Sequence, residues 1–173
     1  MKGVTKLTKF FTIFLSILAI VTGWILGAVS HNSIDIITKV EKKGFFNNFL
    51  EISIHNLLIS FLIISLGFLL YFAGSLIVFS NFLIFGESLY IACQNFGLFK
   101  GIILYIHGIF EIPAIVLSLY ISYSFSHSII MKLKNEDFKI IKYLLKFKNI
   151  FITTFVLFCA GAIIESVVLN IYL

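Results

Sequence analysis

The sequence predicts an all-α polytopic membrane bundle, from its composition, its long apolar runs and the placing of its lysines. It is 60% hydrophobic and only 12% charged, with a mean hydropathy of +1.09. Soluble chains carry roughly 25% charged residues, so a water-soluble domain with a polar coat is excluded. Apolar runs recur at about the 20 residues needed to cross a bilayer core as a helix. The basic residues are all lysines and gather beside those runs, where orientation signals belong. The net charge of +5 therefore points to a membrane, and no nucleic acid partner is expected.

Five transmembrane helices are expected, within a single domain covering residues 1–173. The spans are 10–29, 56–79, 81–97, 101–125 and 150–173. The third is short and carries Asn81, Glu87, Gln94 and Asn95, so it reads either as a spanning helix or as an irregular, re-entrant hairpin. Charge parity favours spanning. Lys2, Lys6 and Lys9 precede the first span, and Lys132, Lys134, Lys139, Lys142, Lys146 and Lys148 flank or fill the segment 126–149. Both groups belong in the cytoplasm, which requires an even number of crossings between them. The N-terminus is then cytoplasmic and the C-terminus extracytoplasmic, with Lys39, Lys42 and Lys43 outside against the trend.

The first span has a second reading as a cleaved signal peptide, since Ala28-Val29-Ser30 offers small residues after a basic head. Its apolar run exceeds the usual length, and Gly23 and Gly27 form a G-x-x-x-G, which suits close packing of an uncleaved helix. That face serves a helix of the same chain or a second copy, so a homo-oligomer stays open.

Helical phase collects small and polar residues into stripes. Thr12, Ser16, Gly23 and Gly27 share one face of the first helix, and Asn56, Ser60, Gly67, Tyr71 and Gly74 one of the second. His107, Glu111, Ala114, Ser118 and Ser122 align on the fourth, and Thr154, Gly161 and Glu165 on the fifth. Such faces turn into the bundle and leave Ile, Leu and Phe to the lipid. The third segment shows no stripe.

Outside the spans, residues 30–55 form the main outer segment, too short for a domain of its own. In 126–149, Asp137 can cap a helix with Phe138, Ile141 and Leu145 on one side and Lys139, Lys142 and Lys146 on the other. That pattern reads as an interfacial helix on an anionic leaflet or as a plain solvated connector.

Ionisable residues inside a span are costly and need a reason. His107 and Glu111 stand four apart, on one helical face. Pro113 removes a backbone N–H and frees a carbonyl near Ile109, so a kink is expected near Pro113. These three residues, with Glu165, Asn56, Asn81 and Glu87, are the candidates for an intramembrane polar lock or a binding site. No Walker sequence, metal-ligand spacing or nucleophile-base pairing is visible, and Cys93 and Cys159 read as buried free thiols. No catalytic residue, metal or cofactor is expected.

The run His107-Gly108-Ile109-Phe110-Glu111-Ile112-Pro113-Ala114 resembles the HG-x-x-E-x-P-A signature of the stage II sporulation protein M family, small polytopic membrane proteins of bacteria and archaea. Other pieces resemble it in order: 23–28 its first helix, 49–56 the approach to the second, 81–86 the Asn and Gly of the third, and Ala162-Ile163-Ile164-Glu165 the end of the last. Ser80-Asn81-Phe82 lacks the glycine that often follows the family's Asn. The resemblance implies a non-enzymatic protein. Sporulation members act in forespore engulfment, holding two peptidoglycan-degrading proteins at the septum. Other members are encoded with circular bacteriocins, beside transporters, and are implicated in maturation, export or immunity. The compact chain with its short outer loop is similar at least as much to the second group.

Three functions are thereby open: a membrane scaffold or export accessory docking another membrane protein; a transporter or channel subunit with a path lined by His107, Glu111, Glu165 and Glu87; and an intramembrane enzyme using His107 and Glu111 as acid and base. The enzyme is least favoured, because neither a nucleophile nor a metal accompanies the pair.

Overall fold

The computed structural model describes residues 2–29, 44–69, 73–134, 141 and 145–172. Every element among them is helical: α1 Lys2–Val29, α2 Phe45–Leu69, α3 Ala73–Phe96, α4 Leu98–Leu104, α5 Gly108–Lys134, a 3-10 turn Leu145–Phe147, and α6 Lys148–Tyr172. Among the described residues, four helices are long and apolar enough to cross a membrane, within Phe45–Leu66, Ala73–Phe96, Gly108–Lys134 and Leu145–Tyr172, and a shorter apolar stretch, Ile13–Val29, lies in α1. Large apolar side chains such as Phe14, Phe61, Leu76, Ile84, Phe155 and Ile171 stay exposed on the outer faces, as lipid-facing positions require.

Helix α5 is the central one. It packs against α2, α6, α1 and α3, and its buried set includes Ser118, Ser122, Ser124, Ser126 and Ser128. Four of these hydroxyls return to the backbone about one turn earlier, as Ser118 does to the Ala114 carbonyl and Ser124 to the Tyr120 carbonyl, while Ser122 Oγ finds no partner among the described residues. In an apolar medium each polar group must be satisfied internally. Ser60 and Ser118 share a hydrogen bond of 2.7 Å between α2 and α5, and Ser75 bonds Tyr123 between α3 and α5. Ala19, Ile63, Val78, Phe82, Leu119 and Phe158 fill the apolar core around these contacts.

Helix α1 packs chiefly on α3. A Cβ at Gly23 would stand 2.0 Å from the Leu83 carbonyl oxygen, and one at Gly86 2.2 Å from that of Ile20, so the two backbones touch where each helix offers a glycine. Gly27 faces Tyr90 of α3, and Trp24 meets the Tyr90 ring edge to face at 5.3 Å. The G-x-x-x-G thus serves a helix of the same chain.

Several expected boundaries differ. The helix expected over 56–79 ends at Leu69, and α3 begins at Ala73; apolar residues run through this boundary, so hydropathy alone does not mark it. The start of α2 at Phe45 takes eleven residues from the expected outer segment 30–55. The third span is neither short nor irregular: α3 has 24 residues, about 36 Å at 1.5 Å per residue. Isolated Asn, Gln and Glu do not break a helix that buries its other face. Its buried stripe, Gly74, Val78, Phe82 and Gly86, recurs every fourth residue and is mostly apolar, which hid it from a search for polar faces.

The irregularity falls instead in the fourth span. Gly97 has φ +83°, a left-handed conformation that glycine adopts without steric cost, and it reverses the chain into the seven-residue α4. Helix α4 folds back on the end of α3, where a Cβ at Gly101 would lie 2.6 Å from the Cys93 backbone. Tyr105 to His107 then bridge α4 and α5 through tight bonds three residues apart, Gly108 N to Tyr105 O at 3.1 Å and Phe110 N to His107 O at 2.9 Å. The break therefore lies at residues 105–107, and α5 continues as a helix through Pro113. Pro113 sits in the second turn, where its missing N–H leaves the Ile109 carbonyl without its usual i+4 donor, and the helix carries on past it. Asp137, Phe138, Lys139 and Lys142 of the expected interfacial helix lie outside the described residues.

Candidate functional site

The break between α4 and α5 places His107 at the head of α5, one turn before Glu111. His107 Nε2 lies 3.8 Å from Glu111 Oε2 and 3.9 Å from Glu165 Oε2 of α6. The other oxygen of Glu111, Oε1, accepts a hydrogen bond from Asn56 Nδ2 of α2 at 2.5 Å. Three helices thus meet at one carboxyl group. Gly161 of α6 makes room for it, since a Cβ there would stand 2.7 Å from Glu111 Cγ.

Aromatic rings hold the imidazole. Tyr105 lies 5.7 Å from it at a 35° tilt and Phe85 6.3 Å edge to face, while Phe85 and Tyr105 contact each other at 5.4 Å. The glycine at position 108 admits this box, because a Cβ there would meet the Phe85 ring at 2.6 Å. His107 is buried, and its Nδ1 lacks a hydrogen-bond partner. Nε2 and one oxygen of each glutamate lie within 4.8 Å of one another, so these three side chains are close enough to hold one cation or to share protons.

An open cavity of about 430 Å³ adjoins the group, lined among others by Glu51, His55, Asn56, Asn81, Ser88 and Tyr105. Asn81, Phe85 and Ser88 lie one helical turn apart on the cavity face of α3. Glu87 falls on the opposite side, where its backbone approaches Gly23 and Gly27 of α1. Of the residues singled out in the sequence, His107, Glu111, Glu165 and Asn56 are brought together, Asn81 lines the same cavity, and Glu87 does not join them. Pro113 is exposed on α5. Gly23, Gly27, Gly74 and Gly161 are buried at helix contacts, Gly74 at the head of α3 against Ser122 and Ile63. The packing of Gly67 and the surroundings of Thr12 and Tyr71 are outside the described part.

Sequence reasoning missed Tyr105, Phe85 and Ser88. Tyr105 adjoins the signature, and an aromatic beside a buried His is the signal that could have found it. Phe85 and Ser88 carry no such signal, because their role depends on where α3 begins.

The arrangement offers a hydrogen-bonded lock between helices and a polar wall on an open cavity. No curated protein and no solved structure matches this chain. The sequence model of the family described as Stage II sporulation protein M matches residues 10–168, and it contains every residue of the polar group. The chain is a multi-pass membrane protein that belongs to the stage II sporulation protein M family.

Proposed function

We propose that the chain is a non-enzymatic membrane scaffold or accessory protein that docks other membrane proteins. The observation carrying this reading is the bond from Asn56 to Glu111 with Gly161 pressed on the same side chain: the acidic residue of the signature ties α2, α5 and α6 together. Ser60 with Ser118 and Ser75 with Tyr123 extend the same use of polar groups. The partners are transporter subunits of a circular-bacteriocin maturation, export or immunity system, or the hydrolase complex of forespore engulfment. The N-terminus is cytoplasmic and the C-terminus extracytoplasmic, which sets the polar group toward the outer face.

Co-purification in mild detergent with the membrane proteins encoded beside it tests this reading. Reciprocal recovery of a transporter subunit or of a hydrolase complex supports it and selects the branch. A chain recovered alone with every neighbour co-expressed contradicts it.

The cavity of about 430 Å³ beside His107, Glu111 and Glu165 favours a second reading, a transporter or channel subunit with a His/Glu-lined path. Ionisable groups within a membrane often mark such paths. Proteoliposomes of the purified chain separate the two, as only the second predicts flux by the chain alone.

A further inference from the structure

We propose that His107, Glu111 and Glu165 form a binding site for one divalent transition cation of the zinc class, reached through the open cavity. This goes beyond the scaffold reading and stands or falls separately from it.

The donor set is one imidazole nitrogen and two carboxylate oxygens, all within 4.8 Å of one another, a combination that zinc accepts with a fourth position left open. The gaps of 3.8 and 3.9 Å are too wide for charge-assisted hydrogen bonds, which close to roughly 2.7–2.9 Å. A tetrahedral zinc about 2.0–2.2 Å from each donor holds its ligand atoms about 3.4 Å apart. Small side-chain movements therefore bring the donors onto a common atom.

A second observation is independent of the carboxylates. The His107 side chain is only 9% exposed, its Nδ1 has no hydrogen-bond partner, and its Nε2 points between the two glutamates at non-bonding distance. Asn56 holds Oε1 of Glu111, which leaves Oε2 turned toward His107, as an outer-shell donor orients a ligating carboxylate.

Charge points the same way. Among the described residues, no lysine lies within ion-pair distance of Glu111 or Glu165, and a divalent cation with two carboxylates makes a neutral group suited to an apolar setting. The imidazole and the low number of donors disfavour calcium and magnesium, which take six or more oxygens. The cavity, with Asn56, Ser88 and Tyr105 in its wall, leaves room for a water or an exchangeable donor at the fourth position.

The full chain, purified in mild detergent and stripped with chelator, is titrated with zinc chloride. About one zinc retained per chain is expected, with affinity falling at least about tenfold in Glu165→Gln, since even outer-shell changes cost that much. X-ray absorption of the zinc-loaded wild type, independent of any variant's folding, should show one imidazole and oxygen donors. No retained zinc, unchanged affinity in a well-folded Glu165→Gln, or a zinc shell lacking imidazole or containing sulfur from Cys93 or Cys159 would each overturn the proposal.

Discussion

His107 and Glu165 approach to 3.9 Å between Nε2 and Oε2, although one heads α5 and the other lies near the end of α6. Their meeting makes the signature run more than a local motif: the α4–α5 break aims the imidazole across the bundle at a residue the signature does not contain.

The Asn56–Glu111 bond makes the first prediction. Asn56→Ala removes the donor to Glu111 Oε1 and should destabilise the bundle by about 1 kcal/mol, in the range of side-chain hydrogen bonds within membranes. Glu111→Gln, whose amide oxygen still accepts from Asn56, should cost less than Glu111→Ala. Thermal unfolding in detergent ranks the three variants.

Close backbone contact between α1 and α3 makes the second. Gly23→Val places branched carbons where one Cβ already meets the Leu83 carbonyl at 2.0 Å, and the helices must part. A loss of roughly 1–3 kcal/mol is expected for such overpacking. In a background lacking Cys93 and Cys159, a disulfide engineered between positions 27 and 90, where a Cβ on Gly27 would lie 3.1 Å from Tyr90 Cβ, should form readily in the parent and poorly in Gly23→Val.

Ser75 and Tyr123 make the third, as a coupled pair. In a double-mutant cycle of Ser75→Ala and Tyr123→Phe the coupling should be about 0.5–1.5 kcal/mol. Additive losses would mean that the two hydroxyls do not bond each other.

Orientation makes the fourth. With the native cysteines replaced, Asn47→Cys should react with an impermeant maleimide from outside intact cells, and Leu133→Cys only after permeabilisation. Both native side chains are exposed, so failure to label reports sidedness and not burial.

Much of this arrangement was legible in the sequence, for identifiable reasons. A charged or small residue within an apolar run carries a strong signal, so Asn56, His107, Glu111 and Glu165 could be assigned to inward faces from helical phase alone. Gly23 and Gly27 were legible as a packing face, and Gly86, their counterpart on α3, was not, because one glycine in an apolar helix has no periodic partner of its own kind. The boundary between α2 and α3 was hidden by continuous hydropathy from Leu69 to Ala73. The break at residues 105–107 was hidden by Pro113, the more obvious helix breaker, whereas the reversal begins at Gly97. The grouping of Glu165 with His107 and Glu111 was legible from their inward faces, but the distances were not, because Glu165 is far along the chain and only the packing of α5 on α6 fixes how close it comes to His107.

The most direct test of the central claim, that the polar group locks the bundle of a docking protein, is proton and ion flux through proteoliposomes of the purified chain, wild type against Glu165→Gln. The lock predicts flux no greater than in empty vesicles for both proteins. Flux in the wild type that Glu165→Gln abolishes would contradict the lock and establish a path through His107, Glu111 and Glu165.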